Sequence, residues 1–320
     1  MSDNARWVLP FGSAKADGYD VAITPEGENW QHTGLYAVGL AAGERREIAG
    51  GEFEYIVVPL SGSVSVDVTG RQIVLAGRDS VFAGPTDVAY VPRGAGFTVS
   101  SARGARVAVA FARAAEREQP LPARHVHSDE VQVELRGAGQ ASREVRNFGT
   151  PQVLEADSII ACEVITPAGN WSSYPPHKHD EEREGEETEL EEIYYFELQP
   201  ESGSSVAGED TRAWGPKGDG GPTGGGAPRA FGYQRVYGTA ERPIDILAEV
   251  RTGDVVLVPH GWHGPAMAPP GYDLYYLNVM AGPGATRAWL ICDDPAHAWV
   301  RDTWADQDID PRLPLGGAPS

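Results

Sequence analysis

The sequence predicts an all-β chain folded as two jelly-roll β-barrels, and three observations lead there. β-Branched runs, glycine turns and period-two alternation recur about every 8–12 residues. Glycine (39) and proline (25) are abundant, while stretches with helical periodicity are few. The two halves also echo each other. DVVLVPHGWHGP in the second matches SVFAGPTDVAYVPRGAGF in the first: a strand, then Val-Pro, then a turn. An internal duplication follows, with one barrel over residues 1–120 and a second over 121–320.

Taken in order, residues 1–33 read as irregular, with Trp7, Phe11, Tyr19 and Trp30 as anchors. Strands begin at Gly34 with GLYAVGLA. EYIVVPLSGSVSVDVTG reads as two strands around Leu60-Ser61-Gly62-Ser63, and the alternation continues through RQIVLAGRDSVFAGPTDVAYVPRGAGFTVSSARGARVAVAFARA. Residues 114–130, AAEREQPLPARHVHSDE, are polar and contain proline; they read as a linker carrying an exposed His125 and His127. In the second half, strands are expected at 158–166, 192–198, 232–237, 246–250, 254–258 and 272–280. The segment 201–230 is glycine-rich and aperiodic, a flexible insertion without a phosphate-cradling glycine pattern. The final stretch reads as a helical turn or two and a frayed tail.

Composition narrows the function classes. The chain is 41% apolar and 22% charged, as a globular protein is, with a net charge of −20. That charge argues against nucleic acid and anionic membrane as partners. It leaves room for an anionic substrate, because a local arginine outweighs a diffuse field that salt screens over about 8–10 Å. No run of 18 apolar residues occurs, and MSDNARWVLPFGS lacks an apolar leader core. With Cys162 and Cys292 as the two cysteines, a reducing, cytoplasmic setting is expected.

The chemistry gathers between Tyr174 and Phe196, YPPHKHDEEREGEETELEEIYYF. In a strand, residues i and i+2 share a face, so His177 and His179 project together and Lys178 lies opposite. A strand starting at Glu192 places Glu192, Tyr194 and Phe196 on one face. Pairing of these two strands across the acidic loop brings two imidazoles and one carboxylate together, and a third imidazole completes a shell for a divalent transition metal. The bland alternative is a solvated surface hairpin. The aromatic run argues against it, since it buries the neighbouring histidines and buried imidazoles need partners. VPHGWHGP supplies the third ring: the Gly261-Trp262 elbow turns His263 inward and leaves His260 at the rim. Three imidazoles and one carboxylate suit zinc, manganese, iron or nickel. Gln234, Arg235, Tyr194, Tyr275, Tyr276 and Asn278 surround this site, Arg235 being the candidate clamp for a carboxylate. Lys178 and His260 join the candidates for substrate contact.

GNWSSYPPHKHD, LEEIYYF, QRVY, GDVVLVPHGWHGP and GYDLYYLNVMAGP, together with EVRNFG and RDSVFAGP, closely resemble the 5-deoxy-glucuronate isomerase family. The resemblance spans nearly the whole chain. It implies a bicupin that interconverts 5-deoxy-glucuronate and 5-dehydro-2-deoxy-gluconate, an aldose–ketose isomerisation in myo-inositol catabolism. By similarity to related uronate isomerases, it implies a divalent metal, zinc first, on His177, His179, Glu192 and His263. The sequence departs from the family pattern in the length of 201–230 and in carrying His260 where an arginine-like residue is expected. Candidates for moving the proton between adjacent carbons are Glu191, a tyrosinate such as Tyr194 or Tyr275, or metal-bound hydroxide, with a metal-mediated hydride shift as the alternative route. The rival readings are a non-catalytic sugar-acid-binding cupin and an iron-dependent cupin dioxygenase. A small-molecule sugar acid is the expected partner, and a homo-oligomer is compatible by analogy with cupin edges.

Overall fold

The alternation along the chain resolves into antiparallel sheets in the computed structural model, which describes residues 2–27, 29–202 and 230–316. The expected insertion at 201–230 lies outside the described residues apart from its ends. Nine strands of the first half join one curled sheet, centred on Phe53–Val68. This is one strand rather than the two expected around Leu60–Ser63. Gly62 takes φ 78°, and the register slips between Pro59 and Ser61 against one neighbour and between Gly62 and Val64 against another. A left-handed glycine in a bulge bends a strand without reversing it. The first part of this strand therefore pairs with Val88–Val91 and Ala105–Arg113, and its second part with Arg71–Arg78 and Phe97–Ser100. Val57, Val66, Leu75, Val99 and Phe111 fill the space it encloses. That interior is apolar and close-packed, and the candidate metal-ligand group found among the described residues lies elsewhere.

The second half forms two facing sheets. The seven-stranded one runs Val8–Leu9, Val255–Val258, Glu191–Pro200, Tyr272–Ala281, Ile160–Thr166, Arg143–Asn147, Gln132–Arg136. The six-stranded one runs Asp245–Val250, Gly232–Tyr237, Trp262–Met267, His177–Lys178, Cys292–Asp293, with Trp171–Ser172 beside Trp262–Met267. Two segments depart from the division at residue 120. Val8–Leu9 pairs with Val255–Val258 of the second barrel, and Arg124–Val126, inside the expected linker, pairs with Val88–Val91 of the first. Each covers an edge whose backbone groups would otherwise be unpaired. His125, in that strand, is not a free linker residue: its Nε2 lies 3.0 Å from Asp87.

The faces of the seven-stranded sheet do different work. The period of two sends Glu192, Tyr194 and Phe196 into the second barrel and Glu191, Tyr195 and Glu197 toward the first. The seam between barrels is polar as well as apolar. Arg78 pairs with Glu163, and Arg106 pairs with Glu197, across it. Glu54 accepts hydrogen bonds from the backbone N–H groups of Asp157, Ser158 and Ile159. Buried charges paired this way add little net stability, but removing one partner is costly, so they hold the barrels in one orientation.

Candidate metal and substrate site

The two histidines and the glutamate do not meet through a hairpin. His177–Lys178 pairs instead with Trp262–Met267, placing His177 opposite His263, and with Cys292–Asp293. Glu192 stands on the facing sheet, opposite Val258 and Met280. Ligands from two sheets thus converge across the barrel interior. Within the six-stranded sheet, Gly264 lets the segment leading to His177 lie against the strand that carries His263, since a Cβ there would sit 1.8 Å from the Ser173 carbonyl oxygen.

His179, Glu192 and His263 offer donor atoms that all lie within 4.8 Å of one another, and all three residues are buried. Glu192 Oε2 is 3.1 Å from His179 Nε2 and 3.1 Å from His263 Nε2. The second contact is not aligned as a hydrogen bond, leaving His263 Nε2 buried without a hydrogen-bond partner among the described residues. His177 sits at the edge of the group: its ring centroid is 4.5 Å from that of His263 and 6.3 Å from that of His179.

The backbone prepares all three rings in the same way. His179 Nδ1 faces the Leu190 carbonyl at 3.1 Å, His263 Nδ1 the Gly261 carbonyl at 3.1 Å and His177 Nδ1 the Pro175 carbonyl at 3.3 Å. A carbonyl only accepts, so each Nδ1 carries the hydrogen and each Nε2 is the available donor atom. Burial works to raise the Glu192 carboxyl, but the His179 and His263 imidazoles outweigh it and hold the group at about 2. Burial pulls His179 down and Glu192 more than compensates, so its imidazole is raised. His177 is driven well below the ordinary histidine range by burial and by its two imidazole neighbours. An ionised carboxylate, an orphaned imidazole nitrogen and carbonyl-oriented rings inside an apolar shell fit a divalent cation.

Around this cluster the structure sorts the other expected residues. Tyr194, Tyr276 and Asn278 face the same interior as Glu192. The Ser173 hydroxyl joins the Tyr194 hydroxyl at 3.3 Å and the Tyr276 hydroxyl at 3.1 Å. Burial raises both phenols, Tyr276 to about 12 and Tyr194 well above the ordinary value. The Asn278 amide reaches the Ile193 carbonyl at 3.4 Å. Gln234 is fully buried on Gly232–Tyr237, and neither amide atom has a hydrogen-bond partner among the described residues. His260 is half-buried, with its Nδ1 unpartnered among the described residues; burial, then Arg242, lower its imidazole.

Four expectations fail on geometry. Glu191 points away from the cluster, its oxygens accepting from the N–H groups of Gln31, His32 and Thr33 and from the Thr33 hydroxyl. Tyr275 lies on that same outer face and donates to Glu163 at 2.7 Å. Adjacent strand residues face opposite ways, so Glu192 and Tyr276 inside require Glu191 and Tyr275 outside. Arg235 is turned outward by the same rule: it pairs with Asp245 and donates to the Ile246 carbonyl at 2.8 Å. Lys178 is held by Asp180 at 2.6 Å and Glu187 at 2.9 Å. Asp180 in turn accepts from the Gly261 N–H at 2.8 Å, so this ion network braces the elbow that carries His263.

Sequence reasoning missed two parts of the site. Ser173 precedes the Tyr-Pro-Pro run and gives no signal of its own. A cavity of about 140 Å³, lined by Arg136, Arg143, His177, Trp289, Ile291 and Arg301, adjoins the cluster through His177. The alternation of ASREVRNFG could have flagged Arg143 as inward-facing, on the side of Val145 and Asn147.

Two barrels with one ligand-bearing interior define a bicupin with a candidate metal centre in its second barrel. Similarity places it further. The KduI/IolB family model matches residues 7–300, and this chain belongs to that family. A 5-deoxy-glucuronate isomerase from Geobacillus kaustophilus is 38% identical over 301 residues, covering 93% of this chain and 96% of that protein. The 5-deoxy-glucuronate isomerase of Bacillus subtilis strain 168 is 35% identical over 249 residues, covering 77% of this chain and 79% of that one. The crystal structure of an IolB-like protein from Salmonella typhimurium LT2 superposes with a TM-score of 0.77 at 33% identity, covering 92% of this chain and 99% of that one. Oxalate decarboxylase from Lactobacillus farciminis shares the fold, with a TM-score of 0.59 at 11% identity over 90% of this chain and 88% of that one. No helix among the described residues is long and apolar enough to cross a membrane.

Proposed function

We propose that this chain is a metal-dependent aldose–ketose isomerase that converts 5-deoxy-glucuronate to 5-dehydro-2-deoxy-gluconate in myo-inositol catabolism. The observation that carries the reading is the buried His179–Glu192–His263 cluster facing the hydroxyls of Tyr194, Ser173 and Tyr276. Family membership and near full-length likeness to relatives named for this activity support the substrate. His177 is the proposed fourth ligand; its Nδ1 faces a backbone carbonyl as those of the other two rings do. A divalent cation here, zinc first, with manganese, iron and nickel compatible with the same donors, would act as a Lewis acid on the substrate carbonyl.

The protein's own groups do the rest. Tyr194 and Tyr276 keep their protons at neutral pH because burial raises both phenols. They serve as hydrogen-bond donors to substrate oxygens, with Ser173 linking the two, and not as bases. Gln234 and Asn278 are the buried amides that would orient the sugar hydroxyls. Closure of the site by apolar strands excludes water, which strengthens each of these contacts. The unpaired Cys162 and Cys292 support a cytoplasmic setting.

The test is elemental analysis of the purified protein, then turnover of 5-deoxy-glucuronate by native, chelator-stripped and re-metallated enzyme. Activity is expected to leave and return with a single divalent ion per chain. Full isomerase activity in the stripped protein, or Glu192→Gln retaining both metal and activity, sinks the proposal.

A further inference from the structure

The inner face of the second barrel holds a cation, Arg143, with no ion-pair partner among the described residues. Arg136 and Arg143 are directly opposed in register on the neighbouring strands Gln132–Arg136 and Arg143–Asn147. Like charges opposed across strands are destabilising, and more so when buried. Arg136 is compensated by Glu134 at 2.7 Å, and Arg301, on the facing 3-10 helix, by Asp293 at 2.7 Å. Arg143 is not. It is 4% exposed, and among the described residues no carboxylate pairs with it; Glu134, already held by Arg136, acts on it only through space. Its guanidinium donates to the Ala141 carbonyl at 3.0 Å and the Tyr174 carbonyl at 3.4 Å and lies over the Trp304 ring at 5.6 Å. Burial, then Arg136, lower its pKa to about 10. Three arginines against two acids leave one positive charge around a cavity of about 140 Å³. His177 lines that cavity too, and its ring is 4.5 Å from that of His263.

We propose that this cavity is the seat of the substrate carboxylate, with Arg143 as its principal partner and Arg136 and Arg301 flanking it. The inference rests on the sugar-acid isomerase reading and deepens it. A carboxylate here gains the planar, charge-assisted contact that Arg143 lacks. It also places the acid end of the substrate one imidazole away from the candidate metal centre, where the carbonyl end belongs. Anchoring the non-reacting end fixes the register of the reacting one. The role assigned in the sequence to Arg235 passes to Arg143, because Arg235 faces outward and is already paired.

The test compares metal-loaded wild type, Arg143→Gln, Arg143→Lys and Arg235→Gln. Calorimetry measures binding of glucuronate and of glucose, which lacks the carboxylate, and the isomerase assay gives KM and kcat for 5-deoxy-glucuronate. Glucuronate is expected to bind wild type and glucose far more weakly. Arg143→Gln should weaken glucuronate binding and raise KM by roughly 30- to 100-fold, with glucose binding and metal content unchanged. Arg143→Lys should fall between, and Arg235→Gln should match wild type. Removing an uncompensated buried charge should also leave the ligand-free Arg143→Gln protein at least as heat-stable as wild type, whereas a structural arginine would lower stability. Glucuronate binding by Arg143→Gln at wild-type strength, or a loss of stability without a loss of binding, overturns the proposal. If wild type binds glucuronate through Arg143 but does not turn over 5-deoxy-glucuronate, the isomerase reading fails and the carboxylate seat stands.

Discussion

Glu191 and Glu192 are neighbours in sequence with opposite assignments, and substituting each in turn tests the architecture. Glu191 carries four hydrogen bonds of 2.7–2.9 Å from Gln31, His32 and Thr33, three of them on Oε1. Glu191→Gln keeps the shape but removes the charge and turns an amide NH₂ toward at least one backbone N–H. Hydrogen bonds to a charged group are worth about 1.5–3 kcal/mol, and an unsatisfied buried donor costs about 1–3 kcal/mol. One lost acceptor plus weakening of the rest gives a destabilisation of about 2–4 kcal/mol. For a chain of this size that lowers Tm by roughly 3–6 °C. Metal content and kcat should stay near wild type, because the side chain points away from the cluster. Thermal unfolding, elemental analysis and the isomerase assay on one preparation decide the matter. A Glu191→Gln enzyme with unchanged Tm and a kcat reduced by orders of magnitude would refute the facing argument and restore Glu191 as a proton-transfer group.

Glu192→Gln should do the reverse, weakening metal binding by more than ~100-fold, beyond what loss of an outer-shell partner costs; competition with a chromogenic chelator measures this. Asp180→Asn, which loosens the Gly261 elbow behind His263, should reduce metal affinity by roughly 10–100-fold without touching a ligand; an unchanged affinity would show that the Lys178–Asp180–Glu187 network only braces the loop. Tyr276→Phe removes one hydroxyl from the Ser173 cluster and should lower kcat by about 10-fold or more with KM little changed; a pure KM effect would move that hydroxyl from chemistry to binding. The pH dependence follows from two opposite shifts. His179 is raised above its ordinary 6.5, so its contribution to apoprotein stability is full below that value and is lost as pH rises through the folded value. Glu192 is lowered from 4.5 to about 2, so its contribution is present above 4.5 and lost as pH falls toward 2. The apoprotein's cluster is thus most stabilising between about 4.5 and 6.5, while metal must displace the His179 proton and binds better as pH rises. The gain in Tm on adding metal should grow from about pH 6 to pH 8; a gain that shrinks over that range contradicts the assignment.

Much of this protein was legible in one dimension, and the reason is local. Period-two alternation and glycine turns are set by backbone sterics and burial, so the all-β character and most strands of the second half could be read directly. The same rule placed Glu192, Tyr194 and Phe196 on one face. Ambiguity entered where two neighbours compete for one face. Glu191 against Glu192 and Tyr275 against Tyr276 are equivalent in composition, and only the position of the first barrel shows which face each presents. The long Phe53–Val68 strand was misjudged because Gly62 suits both a turn and a bulge, and sheet pairing made the choice.

What the residues offered alone was a candidate set of donors, His177, His179, Glu192 and His263, of which the structure groups the last three, and a strand pattern able to bury them. How they meet belongs to the tertiary structure. His263 reaches Glu192 from the facing sheet, a contact between segments far apart in sequence that no spacing encodes, whereas for His179, 13 residues from Glu192, only the strand it pairs with was left to the tertiary structure. Alternation could place Arg143 on the inner face, but an arginine in a strand gives no sign of whether its charge is answered. Only the folded barrel, which sets Arg143 opposite Arg136 and pairs it with no acid among the described residues, makes it the candidate seat for a carboxylate.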